Sequence, residues 1–146
     1  MHAIKKHRVM MSDEIVPVVR MPCWFDIAFL FYSPSPLLSQ DHNGRLNFYN
    51  PAAQKVFGYT PEEAIGMASA ELVPVPLRRG RADEFRHILE KEDFAEVQEP
   101  RLAKGGKLVG INALIFPYML DDRLSIAARV DLLDARGNVV APLRSR

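Results

Sequence analysis

The side chains able to do chemistry are few and far apart. Histidines stand at His2, His7, His42 and His87, and the single cysteine is Cys23. None has a serine, cysteine or acidic partner at the spacing of a nucleophile–base pair, so no catalytic residue and no metal site are expected. Asp26 lies in an apolar run, where a small α+β hydrolase or isomerase would want an acid; an acid at a helix start is the simpler account. Lys104-Gly105-Gly106-Lys107 lacks the glycine spacing and the following hydroxyl of a phosphate loop. Arg78-Arg79-x-Arg81 could meet nucleic acid, but three arginines at one helix start read as a solvated face. The expectation is a binding protein and not an enzyme.

Composition agrees with one folded unit. The chain has 146 residues, 48% hydrophobic and 25% charged, which suits a globular domain with a real core. Nineteen basic residues against 18 acidic ones leave a net charge of +1, so nothing draws the chain to nucleic acid or an acidic membrane. One cysteine excludes an internal disulfide and fits a reducing cytoplasm. Met1 to Arg8 is basic, yet Ser12, Asp13 and Glu14 interrupt any secretory apolar region. The apolar run from Cys23 to Tyr32 is too short to span a bilayer. Residues 1–22 are expected to be a loosely ordered leader, 23–136 the domain, and 137–146 a short tail.

The elements that must position any site are short. Residues 23–32 suit an apolar helix that Ser33-Pro34-Ser35-Pro36 breaks. Leu37 to Gln40 and Arg45 to Tyr49 are strands joined by the turn Asp41-His42-Asn43-Gly44. Asn50 caps a helix with Pro51 at its first position, and Gly58 stops it. Thr60-Pro61-Glu62-Glu63 repeats the device as a capping box, ended by Gly66. A longer helix should start at Leu77 or Arg81 and run to Lys91, with Arg78, Arg79 and Arg81 on its wet side. Strands follow at 96–103, 107–120 and 123–133. The order gives an α+β domain with a five-stranded antiparallel sheet, short helices and one longer helix covering its concave face. Leu46, Phe48, Val56, Phe57, Phe85, Ile88, Leu114, Ile126 and Ala128 are its expected interior. Asn112, in the apolar run 108–116, either faces the concavity or points outward; a buried amide left unpaired costs about 1–3 kcal/mol.

These residues resemble the PAS family of sensory modules, most closely over Phe25 to Met67. Ser33-Pro34, Asp41-x-x-Gly44, Asn50-Pro51-Ala52-Ala53 and Phe57-Gly58-Tyr59 with Pro61-Glu62-Glu63 and Gly66 match its S-box signature. The remainder, to about residue 135, matches more loosely by strand order and by Gly105-Gly106-Lys107. The resemblance implies a curved sheet whose concavity holds a small ligand or simply a filled core. Candidate ligand contacts are then Phe57, Phe85, Ile88, Asn112, Leu114, Ile126 and Ala128. It also implies a homodimer or a signalling partner, acting in trans, through the N-terminal apolar helix, with Trp24, Phe25, Phe29 and Phe31 as candidate interface residues.

Two cofactors of that family are not expected. Alignment on Leu72-x-Pro74-x-Pro76 puts Arg81, not His87, where the oxygen-sensing haem subgroup carries its iron ligand. The photoactive flavin (LOV) subgroup needs a reactive cysteine where this chain has Met67-Ala68-Ser69-Ala70-Glu71. Two readings stay open: a ligand-binding sensory module, or an interaction module with a filled core.

Overall fold

The computed structural model describes residues 3–7, 28–120 and 122–140. Six strands form one antiparallel sheet: β1 (Ala3–His7), β2 (Leu37–Gln40), β3 (Leu46–Tyr49), β4 (Phe94–Leu102), β5 (Leu108–Leu120) and β6 (Arg123–Leu132). Their spatial order is β1-β4-β5-β6-β2-β3. Strands β2 to β6 are the five expected from the sequence. The sixth is a difference: residues 3–7, read as loose leader, pair with β4 from Ala3 opposite Gln98 to His7 opposite Phe94. The physical reason is that β4 would otherwise present a bare row of backbone donors and acceptors at the sheet edge.

The helices are α1 (Pro51–Phe57), α2 (Pro61–Ala64), α3 (Val75–Arg78) and α4 (Arg81–Leu89), with 3₁₀ turns at Ser69–Leu72 and Lys104–Gly106. Residues 28–31 are also helical. The side chain of Asn50 accepts from Ala53 N at the start of α1, and Gly58 closes that helix at φ 82°. Thr60 and Glu63 form the reciprocal capping box of α2. Gly80, at φ 74°, separates the single turn α3 from α4 and so fixes the longer helix to begin at Arg81.

Strand parity decides what faces the helices. Val97 of β4 lies opposite Ala113 of β5, which lies opposite Val130 of β6. These positions are buried in one core with Leu46, Phe57, Leu72 and Phe85, and Ala128 and Leu132 of β6 pack partly buried against it. Two expected interior residues depart from this: Phe48 and Leu114 are only half-buried and stand outside the core cluster.

Candidate functional site

Small side chains leave a space in the concavity. Ala113 on β5 and Ala128 on β6 stop short of the helices, and a cavity of about 180 Å³ remains between sheet and helices. Phe57 of α1, Phe85 of α4, Leu72 of the 3₁₀ turn, and Leu38, Leu46, Ile115, Ile126 and Val130 of the strands make apolar walls. Arg78, Arg81 and Arg101 add a cationic lining.

That cationic part is built from buried charge. Arg81, Glu99 and Arg101 are 5%, 4% and 8% exposed. Glu99 is shared: one carboxylate oxygen accepts from Arg81 and the other from Arg101. Arg81 also lies over the Phe85 ring, 5.1 Å from its centroid, a cation–π placement. Its second contact, to Glu84, is a long 3.4 Å, and its Nε has no hydrogen-bond partner. Arg78 donates from Nε to the Val73 carbonyl at 2.8 Å. Burial, and then the neighbouring charge of Arg81, hold the Arg101 pKa down to about 10. Arg101 therefore stays protonated at neutral pH.

The positions expected from sequence divide into three groups. Phe57, Phe85, Ile126 and Ala128 line the cavity. Ile88 is buried on α4 but is not part of the cavity wall. Asn112 and Leu114 are corrections. They alternate with Ile111, Ala113 and Ile115, so they occupy the other face of β5, beside Gln98 and Asp131 and beside Glu96 and Arg129. Arg81 is a correction in the opposite sense, buried where a solvated side chain was expected. Glu99 and Arg101 were missed altogether. The available signal was period two on β4, since Ala95, Val97, Glu99 and Arg101 share one buried face.

The donor set does not fit haem or a cysteinyl flavin. Among the described residues around the cavity there is no histidine or cysteine, and His87 is exposed. Among the described residues no three His, Cys, Asp or Glu side chains gather as a metal site.

A second feature lies at the N-terminal flank. Phe29 and Tyr32 are 71% and 80% exposed. Phe31 is half-buried and meets the Tyr32 ring edge-on at 5.3 Å. Trp24 and Phe25, the other two interface candidates, lie outside the described residues. No helix among the described residues is long and apolar enough to cross a membrane.

A family model described as the PAS fold matches residues 30–124. This chain therefore belongs to the PAS-fold family, whose members are typically sensory and signalling modules rather than enzymes. Among solved structures it is similar to the PAS domain of a Colwellia psychrerythraea protein, with TM-score 0.65 and 17% identity over 72% of this chain and 92% of that one. It is also similar to a PAS domain from Desulfitobacterium hafniense, with TM-score 0.60 and 20% identity over 73% and 99% of the two chains. The Rhodobacter sphaeroides LOV protein matches with TM-score 0.63 and 18% identity, over 78% of this chain and 70% of that one. These likenesses are of fold. No curated protein matches the chain.

Proposed function

We propose that this chain is a sensory module that takes a small molecule into the cavity between sheet and helices. It passes the resulting change to a second copy of itself or to a signalling partner through the flank bearing Phe29 and Tyr32. The observation that carries the reading is the cavity of about 180 Å³ bounded by Phe57, Phe85, Ile126 and Ala128. A space of that size among apolar walls is large enough to take a small molecule. PAS domains commonly mediate partner interactions and dimerisation, which supports the second half of the reading. The near-neutral charge argues against nucleic acid as that partner, and the lone cysteine supports a cytoplasmic setting.

The test is native mass spectrometry of the purified full chain beside an Ala128→Leu variant, whose longer side chain fills the cavity. The expected result is a small-molecule adduct on the wild type that is absent from the variant. A wild type without adduct, together with a variant that melts higher and associates like the wild type, would favour the alternative of an interaction module with a filled core. One observation speaks for that alternative: the Arg81–Glu99–Arg101 cluster already occupies part of the concavity.

A further inference from the structure

We propose that the cavity selects a small organic anion, a carboxylate on a compact apolar body, held by the surplus positive charge of Arg81 and Arg101. The inference rests on reading the cavity as a ligand site and adds the chemical class of the ligand.

Charge counting leads to it. Two guanidinium groups share one buried carboxylate, and both oxygens of Glu99 are already engaged. The buried cluster thus carries one positive charge too many. Glu84 offsets it only in part, because it pairs with Arg81 at 3.4 Å while its own side chain is 43% exposed and screened by water. Arg78, also on the cavity, adds to the excess. Buried charge without a counter-charge is strongly unfavourable, and a fold keeps it most readily where a ligand completes the pairing. A hydrogen-bonding deficit accompanies the charge excess: the Nε of Arg81 has no partner. Guanidinium groups favour carboxylates because two parallel N–H donors match two oxygens.

The rest of the wall sets the size and character of that anion. Phenyl and aliphatic side chains surround most of the space and would leave a hydrated inorganic ion poorly solvated. A cavity of about 150 Å³ holds a benzene ring, so about six to ten non-hydrogen atoms suit this one. Short-chain and monocyclic aromatic carboxylates meet all three conditions. Their amides have the same shape and no charge, and so isolate the electrostatic claim.

The experiment titrates the full chain with butyrate, hexanoate and benzoate, and with the matching amides, by calorimetry and thermal melting. At least one carboxylate should bind saturably at one per chain, with its amide weaker by about tenfold or more. Arg101→Gln, which removes the surplus charge, should abolish carboxylate binding while the ligand-free protein melts no lower than the wild type. Arg101→Lys, which keeps the charge but loses the planar pair of donors, should bind more weakly than the wild type and more tightly than Arg101→Gln. If amides bind as tightly as acids, the cavity remains a ligand site but the anion proposal falls. If no compound binds, both the proposal and the ligand reading fall. An Arg101→Gln variant that melts well below the wild type, and still binds its carboxylate, would assign the arginines to the fold alone.

Discussion

Asn50 joins three stretches of chain with one buried amide. Its Nδ2 donates to the carbonyls of Leu30 and Ser35 at 3.1 and 2.8 Å, and its Oδ1 accepts from Leu37 N and Ala53 N at 2.9 and 3.0 Å. The cap on α1 was legible, because Asn before Pro announces a helix start. The other three bonds were not, since they depend on where residues 30–37 pass in space. Asn50→Ala should cost about 2–4 kcal/mol in urea unfolding, the loss of a cap plus stranded buried groups. A loss under about 1 kcal/mol would mean that water replaces the amide. Arg81, Glu99 and Arg101 escaped sequence reading for a related reason: charged side chains default to the surface, and only their mutual pairing makes burial tolerable. Glu99→Gln leaves two buried guanidinium groups without their shared anion and should destabilise by about 3–5 kcal/mol. Thermal melting near neutral pH checks it, and a neutral outcome would show that the cluster opens to solvent.

At the scale of elements, the punctuation of the chain was far more legible than the orientation of its strands. Caps and glycines at Asn50, Gly58, Thr60 and Gly66 bound α1 and α2 as their chemistry requires. Strand β5, by contrast, is apolar on both faces, so its sequence could not say whether Asn112 or Ala113 looks inward. Pairing with β4 and β6 settles that, and no local pattern encodes it. The α1–α2 corner is tied to the β4–β5 connection by Lys104, which donates to Glu63 at 2.6 Å. That bond, and then the Thr60 backbone N–H, lower the Glu63 pKa from 4.5 to about 2. Because the folded pKa is depressed, the tie contributes above the unfolded value and fades as pH falls from about 4.5 towards 2. In Lys104→Gln, NMR titration of the Glu63 carboxyl should give a pKa nearer 4.5, and an unchanged value would remove Lys104 as the cause. Gly58 occupies the left-handed region at φ 82°, and an added Cβ would sit 3.3 Å from Cβ of Lys104. Gly58→Ala should therefore lower stability by about 1–2 kcal/mol, readable in the same melts.

For the molecule as a whole, the surface that decides its assembly is the flank beside Asn50. The helical residues 28–31 and Tyr32 are anchored through the Asn50 bond to the Leu30 carbonyl, yet Phe29 and Tyr32 turn outward. Exposed aromatic side chains suit an interface, because their rings bury much apolar surface for few rotatable bonds. In a two-fold dimer each contributes twice, so replacing both removes four aromatic rings from the contact. At even about 1 kcal/mol per ring the dissociation constant should weaken by nearly a thousandfold, about 4 kcal/mol in all. Light scattering on the full wild-type chain should give twice the mass of one chain at micromolar concentration. A Phe29→Ser/Tyr32→Ser double variant should give the mass of one chain, with its melting temperature nearly unchanged because neither residue is in the core. A monomeric wild type that binds a hydrophobic dye no better than the double variant would mean that the rest of the same chain shields the flank. A dimer indifferent to both substitutions would move the interface elsewhere.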